Sequence, residues 1–106
     1  MEIRYLTSFE RVAKLRSFSK AALELFISQP TITTHISELE SELKTSIFKR
    51  NTNPIMLTET GGIFLEYTKQ ILLLIDQSKN EVKNIEHGIQ GTLQICASES
   101  VTEWLT

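Results

Sequence analysis

The sequence lacks three features that would place it in large classes of protein: paired cysteines, a long apolar run and an N-terminal export signal. Its single cysteine, Cys96, excludes a disulfide within the chain and is typical of a reducing compartment. The longest apolar run, residues 71–75, is far short of the ~20 residues that span a membrane. Residues 1–5 contain no basic segment followed by an apolar one, so no secretory signal is predicted. These absences favour a cytoplasmic protein with no membrane partner.

Groups suited to catalysis or metal binding are equally scarce. Besides Cys96, the chain has one aspartate, Asp76, and two histidines, His35 and His87, which stand far apart in sequence. No metal-ligand spacing, glycine-rich phosphate loop or Ser–His–Asp set is present in the sequence. We therefore expect neither an enzyme nor a metal or cofactor site.

The net charge of −2 does not by itself suggest a nucleic-acid partner, but the charge is unevenly distributed. Residues 1–58 carry eight Lys and Arg against six Asp and Glu, a net charge of +2. Residues 59–106 carry three against seven, a net charge of −4. Since the first part is only mildly basic, any function on DNA has to be argued from pattern.

Apolar residues at helical spacing predict a mainly α fold. The first helix is expected over residues 3–15, and a second follows the N-cap candidates in Ser17-Phe18-Ser19. Ser28 caps a third helix with Pro30 in its first turn, where a missing N–H costs nothing. Because so short a turn separates the second and third helices, and another helix precedes them, the arrangement is a helix-turn-helix. The inner faces hold Leu6, Phe9, Val12, Ala13, Ala21, Ala22 and Leu25, and on the third helix Ile32, Ile36, Leu39 and Leu43.

A small β-hairpin and a long helix are expected next. Residues 47–50 and 55–57 are strand-like and flank the turn-rich tip 51–54, and we call residues 47–57 the wing. Thr58 is the predicted N-cap of the long helix, in which Gly61-Gly62 weakens the first turns. Its apolar stripe lasts about 25 residues, close to 40 Å. The start of the stripe, near Phe64 and Tyr67, is expected to pack on the N-terminal domain. The later residues are expected to bury against a second copy: Ile71, Leu74, Ile75, Ser78, Val82 and Ile85.

The pattern divides the chain into three parts. Residues 1–58 form the predicted winged helix-turn-helix domain, residues 59–88 the long dimerisation helix, and residues 89–106 a hinge and the start of another domain. Residues 92–97 alternate as a strand does, and residues 103–105 suit a helix start. One strand and a broken helix cannot form a core, so we expect the chain to be a piece trimmed from a longer protein.

Along nearly its whole length the sequence resembles the N-terminal portion of LysR-type transcriptional regulators. The strongest piece is Ile27-Ser28-Gln29-Pro30 followed by Ile32-Thr33, and Gly91-Thr92-Leu93-Gln94-Ile95-Cys96-Ala97-Ser98 resembles the first strand of the family's effector-binding domain. Each piece alone is weak and the composite is specific. The other matching residues are Phe9, Val12, Ala13, Ser17, Phe18, Ser19, Ala21, Ala22, Leu25, Ile36, Leu39, Glu40, Leu43, Ile47, Phe48 and Arg50, and the run from Leu57 to Gly61.

The resemblance implies a bacterial, cytoplasmic regulator that binds imperfect inverted repeats in double-stranded promoter DNA. It also implies a homodimer formed through the long helix, assembled into a tetramer in the full-length protein. A small-molecule effector would be held by a C-terminal domain, most of which these 106 residues lack. Two other interpretations stay open: a winged-helix regulator of the molybdate-responsive kind, and an interaction module built on the coiled-coil helix.

The third helix is the expected base-reading element, because its polar side suits the major groove. We call that side, formed by Gln29, Pro30, Thr33, Thr34, Ser37 and Glu38, the reading face. Gln29 suits an adenine edge, and the methyl groups of Thr33 and Thr34 suit thymine methyls. The family often has arginine at the position of Thr34, and this helix has no Lys or Arg before Lys44. An A·T-rich half-site is therefore favoured over guanine readout.

Phosphate contacts are expected from residues around the reading face. Arg50 matches a family position, whereas Asn53-Pro54 replaces a basic pair that is frequent in the family, so Asn51 and Asn53 are left to bond in the minor groove. His35 lies beside the reading face and is expected either to contact the DNA backbone or to be a neutral surface residue. The complete set of predicted DNA-binding residues is Ser17, Ser19, Lys20, Ser28, Gln29, Pro30, Thr31, Thr33, Thr34, His35, Lys44, Lys49, Arg50 and Asn53.

Overall fold

The structure, a computed structural model, describes residues 1–88. The expected strand at 92–97, the helix start at 103–105 and the hinge lie outside the described residues. The chain divides into two compact units, the first from Met1 to Leu72 and the second beginning at Leu73. No helix in the described part is long and apolar enough to cross a membrane.

Within residues 1–88 four helices follow one another, and all four match the sequence-based prediction. They are α1 (Ile3–Leu15), α2 (Phe18–Leu25), α3 (Gln29–Leu43) and α4 (Glu59–Gly88). The predicted caps of α3 and α4 are present: Ser28 accepts the N–H of Thr31 at 3.2 Å, and Thr58 that of Gly61 at 2.9 Å. Of the two candidates at α2, Ser17 is the cap and accepts the N–H of Lys20 at 3.1 Å. Each satisfies one otherwise unpaired donor at a helix start, which is worth about 1 kcal/mol.

The first three helices each end at a residue in the left-handed conformation. Arg16, Phe26 and Lys44 have φ values of 56°, 59° and 59°, and their N–H groups return to carbonyls near the helix end. α3 thus closes on a left-handed lysine, Lys44, where glycine is the usual residue. Because L-residues pay roughly 1–2 kcal/mol there, each of these closures is kept by the packing around it.

The core of the first unit lies between α1, α2, α3 and the wing. Phe9, Val12, Ile32, Leu39 and Ile47 are completely buried. The aromatic rings form a chain through this core: Phe9 lies 5.3 Å from Phe64, 5.4 Å from Phe48, and Phe48 lies 5.9 Å from Phe18, measured between centroids. The packing therefore connects α1, α2, the wing and the start of α4.

The wing is smaller than the two predicted strands. Its pairing consists of one antiparallel bridge, Phe48 to Leu57, with the N–H of Lys49 bonded to the carbonyl of Met56 at 2.8 Å. The N–H of Thr58 adds a bond to the carbonyl of Ile47 at 3.1 Å. The hairpin shape is thus confirmed, but residues 47–50 and 55–57 are not regular strands, because the Phe48–Leu57 bridge stands alone.

The inner face of α4 within the first unit differs from the expected one. Tyr67 is 61% exposed, so the expectation that it packs on the N-terminal domain is wrong, whereas Phe64 does pack there. The residues that face the core recur at 61, 64, 65, 68 and 72, and Thr68 among them is completely buried, with its hydroxyl donated to the carbonyl of Phe64. The predicted core-facing side of α4 is therefore rotated about the helix axis relative to the side that packs on the core.

Candidate nucleic-acid interface

The reading face of α3 is exposed along its length. Gln29, Pro30, Thr33 and Thr34 are all exposed, while the stripe on the opposite side of the helix is buried in the core. Burial of that stripe fixes the rotation of α3 about its axis, so the reading face cannot turn inward without exposing apolar surface. The reading face is uncharged over the first two turns of α3, so no strongly hydrated charge has to lose its water when this part of the face contacts another molecule.

Thr31 has a different role from its neighbours. It is half-buried, and its hydroxyl lies 2.8 Å from that of Ser28, whose oxygen also accepts the N–H of Thr31. These two bonds hold the first turn of α3 in place. Thr31 therefore positions the start of the reading face instead of belonging to it.

The wing and the reading face border one cleft of about 280 Å³. Thr33 and Ser37 line it from α3, while Lys49, Arg50 and Asn51 line it from the wing. Lys49 and Arg50 are exposed, and Asn51 turns the chain at the tip with φ of 58°. The fold thus places the two wing cations beside the uncharged first two turns of the reading face, an arrangement that suits a duplex, in which bases and phosphates lie side by side. The remaining lining residues are Phe18, Ile36, Glu40, Phe48 and Ile55.

The other predicted phosphate contacts lie at helix ends. Lys20 is exposed in the first turn of α2, next to Ser17 and Ser19, whose hydroxyl groups are 3.2 Å apart. Lys44 is exposed at the end of α3. Within residues 1–88, neither lysine takes part in an ion pair, and the same holds for Lys49. Asn53 is exposed at the wing tip, as a groove-contacting residue would have to be.

The expectation that His35 is a surface residue is wrong. Its side chain is 7% exposed, its Nδ1 lies 2.7 Å from the Ser8 hydroxyl, and its ring centroid is 4.9 Å from that of Tyr5. Burial lowers the pKa of His35, and the positive charge of Arg4 lowers it further. His35 therefore joins α3 to α1 as a neutral core residue and exposes little surface for a DNA backbone contact.

Three polar residues of the cleft, Ser37, Glu40 and Asn51, lie outside the set of predicted DNA-binding residues, although Ser37 was expected on the reading face and Asn51 in the minor groove. Ser37 is four residues after Thr33, so its place on the reading face was visible from helical spacing, and Asn51 is a turn residue at the tip. Glu40 matches a family position, but nothing in the sequence indicated its role, because an acidic residue on a helix is usually solvated. It is instead 18% exposed, and its carboxylate accepts the N–H of Ile47 at 2.9 Å.

On α4 most of the residues predicted for dimerisation are apolar and exposed, and they form a stripe. Leu74, Val82 and Ile85 are 64%, 63% and 60% exposed, and Ile71 is 37% exposed. Ile75 is half-buried, and Ser78 is exposed with its hydroxyl donated to the carbonyl of Ile75 at 2.7 Å. Large apolar side chains seldom stay in water at such spacing, so the stripe suits a partner helix.

Comparison with known proteins assigns this geometry to a family. The sequence profile of the bacterial regulatory helix-turn-helix proteins of the lysR family matches residues 3–62. The HTH-type transcriptional regulator BudR of Klebsiella aerogenes is 41% identical over 100 residues, which cover 94% of this chain and 70% of BudR. The HTH-type transcriptional regulator CitR of Bacillus subtilis (strain 168) is 35% identical over 103 residues, which cover 97% of this chain and 35% of CitR.

A solved structure matches the fold as well. The BenM DBD in its complex with benA site 1 DNA has a TM-score of 0.80 and 36% identity, and the match covers 83% of this chain and 99% of that one. The chain spans about a third of the length of several curated relatives. The fold is therefore a winged helix-turn-helix followed by a long helix.

Proposed function

The chain belongs to the lysR family of bacterial regulatory helix-turn-helix proteins, and from this we propose that it is the DNA-binding part of a transcriptional regulator. The observation that carries the proposal is the cleft in which the reading face of α3 meets Lys49 and Arg50 of the wing. In this function Gln29, Pro30 and Thr33 contact base edges in the major groove. The proposal includes no catalytic activity, and it places the protein in the cytoplasm, where its DNA target is.

Phosphate binding is assigned to the cations that surround the reading face. Lys20, Lys44, Lys49 and Arg50 would each neutralise one phosphate, and the start of α2 adds N–H donors to an anion. The reading face contains no Lys or Arg, which supports a preference for A·T-rich half-sites, since bidentate guanine contacts come mainly from Arg and Lys. Asn53 and Asn51 at the wing tip suit hydrogen bonds to minor-groove acceptors.

A homodimer is the second part of the proposal. The stripe on α4 carries exposed apolar residues over several turns, and a second copy of the same helix would cover them. Two copies of the reading face would then match the two halves of an inverted repeat. In the full-length protein we expect a tetramer and an effector-binding domain beyond this segment.

Membership of the lysR family overturns the molybdate-responsive alternative. The interaction-module alternative predicts no DNA affinity, and one experiment decides between it and the proposed function. Sites are selected from random duplexes, and the affinity for the selected duplex is then measured against salt concentration. The proposal predicts an A·T-rich inverted repeat and a steep log–log slope, with about 0.9 lost per phosphate contact. A slope near zero would remove the phosphate contacts and with them the proposal.

A substitution on the reading face gives the site-directed form of this test. Thr33→Glu places a carboxylate against the groove and should abolish specific binding while leaving the dimer intact, as measured by sedimentation. Asn80→Glu adds the same charge on α4 and serves as the matched control, with binding close to that of the unaltered chain. Loss of the dimer in Thr33→Glu would contradict the assignment of this face.

A further inference from the structure

Glu40 occupies a place in the cleft that the proposed contacts do not explain. It lies on the side of α3 that faces the wing, and its carboxylate is largely withdrawn from water. A carboxylate beside DNA phosphates repels them, so a position so close to the phosphate-binding cations calls for a compensating role. The hydrogen bonds of Glu40 indicate what that role is.

The two carboxylate oxygens of Glu40 have different partners. Oε2 accepts the N–H of Ile47 at 2.9 Å, and Oε1 lies 3.7 Å from Nη2 of Arg50. Ile47 is completely buried, and its own carbonyl accepts the N–H of Thr58. The backbone where the wing begins is thus held on one side by α3, through Glu40, and on the other by the residue that starts α4.

The backbone of Glu40 adds to the same anchorage. Its carbonyl accepts the N–H groups of Lys44 and Thr45, so the left-handed turn after α3 closes on this residue. The segment between Glu40 and Ile47 is therefore tied at both ends. Lys49 and Arg50 follow two and three residues after Ile47, which makes their distance from the reading face depend on this tie.

The ion pair with Arg50 is the weaker of the two side-chain contacts. The Arg50 side chain is 77% exposed and the 3.7 Å separation is long for a charge-assisted bond, so solvent screens most of the attraction. A phosphate can replace the carboxylate as the partner of this guanidinium at little cost. The hydrogen bond to Ile47 is partly buried and directional, so it is the contact that fixes the start of the wing relative to α3.

We propose that Glu40 is a positioning residue for DNA binding, which sets the wing cations at the distance from the reading face that lets both engage one duplex. The proposal rests on the proposed function. According to this proposal, DNA affinity depends mainly on a side chain long enough to accept the N–H of Ile47, and only secondarily on the negative charge of Glu40. Reach and charge are separable by two conservative substitutions.

Glu40→Gln keeps the length and an acceptor oxygen but removes the charge, whereas Glu40→Asp keeps the charge but is one methylene too short. The experiment measures affinity for the selected duplex over a range of salt concentrations in both variants of the whole 106-residue chain. Glu40→Gln should bind within about three-fold of the unaltered chain with the same salt slope. Glu40→Asp should lose about ten-fold in affinity and about 1 in slope, the loss of one phosphate contact.

Glu42→Gln and Glu42→Asp are the matched controls, because Glu42 lies two residues further along α3 and its carboxylate contacts the N-terminal amine of Met1, outside the wing. Both should keep the unaltered slope. Melting curves by circular dichroism accompany each variant, and a purely structural role would lower the melting temperature without changing the slope of the folded protein. If Glu40→Asp does not fold, Glu40→Gln alone tests the proposal. A loss of DNA affinity in Glu40→Gln, which keeps the side-chain length, would contradict it.

The inference is overturned if Glu40→Asp keeps the unaltered slope and affinity, or if Glu40→Gln binds more than three-fold tighter, which would make Glu40 a repulsive charge. Failure of the proposed function would look different. The unaltered chain itself would then select no duplex, and its affinity for DNA would show no salt dependence.

Discussion

Two adjacent glycines in α4 should respond in opposite directions to the same substitution. A Cβ added to Gly61 would lie 2.0 Å from the carbonyl oxygen of Ile47 and 2.8 Å from its carbonyl carbon. A Cβ added to Gly62 would meet nothing within 4 Å. Both glycines lie in the first turn of the same helix, so the two alanine variants differ in this contact while sharing the gain in helix propensity.

The magnitude follows from the atoms involved. The obstacle at Gly61 is backbone, which cannot rotate aside, and relief requires a shift of more than 1 Å between α4 and the start of the wing. Overpacking of this kind costs about 1–3 kcal/mol, and a shift of Ile47 also weakens its hydrogen bond from Thr58, worth about 1 kcal/mol. Replacing glycine by alanine in a helix returns about 1 kcal/mol. Gly61→Ala should therefore destabilise by about 1–3 kcal/mol, and Gly62→Ala should stabilise by up to ~1 kcal/mol.

Urea denaturation followed by circular dichroism measures both variants. The protein concentration has to be the same throughout, since the stability of a dimer depends on it. A melting experiment should show the same order, with several degrees between the variants. If Gly61→Ala were as stable as Gly62→Ala, the close approach of α4 to Ile47 would be refuted.

Three further predictions concern other parts of the structure. Burial and Arg4 lower the pKa of His35, so the unfolded chain takes up a proton before the folded one as pH falls. The contribution of His35 to the unfolding free energy is therefore full above about pH 6.5 and is lost below it, by at most about 1.4 kcal/mol per pH unit. The substitution His35→Gln should remove most of that loss, as measured by the unfolding free energy over a range of pH. Ser28→Ala should cost about 1 kcal/mol in urea denaturation through loss of the α3 cap, whereas Ser41→Ala, exposed on the same helix, should change stability by less than about 0.5 kcal/mol. Leu74→Glu should shift the sedimentation profile towards monomer without lowering helix content, and an unchanged profile would contradict dimerisation through α4.

Periodicity and caps predicted the helices because both are local properties. Ser17, Ser28 and Thr58 each accept an N–H from three residues ahead, so both partners of each cap lie within four consecutive residues. The stripe along α3 needed only a repeat of three and four residues, since the other side of that helix is polar. The reading face followed as the complement of the buried stripe.

What could not be predicted depends on contacts between distant segments. His35 is polar and sits beside the stripe, and its packing partners, Ser8 and Tyr5, lie about 30 residues earlier on α1. Tyr67 and Phe64 both lie on the apolar side of α4, where many positions are apolar, so spacing left open which of them faces the core. Glu40 is one acidic residue among several on α3, and its acceptor role depends on the path of the chain through Ile47.

The distribution of charge around α3 makes affinity and sequence preference separable in this protein. The reading face has no cation, so it can contribute base contacts but almost nothing to counterion release. The salt slope must then come from residues off that face, chiefly Lys20, Lys49 and Arg50. If the proposed function holds, removing one of these cations lowers the slope by about 1 and leaves the selected sequence unchanged. Changing Gln29 or Thr33 should alter the selected sequence and leave the slope alone. A family member with arginine on its reading face cannot separate the two quantities in this way, because the same side chain then serves base and phosphate.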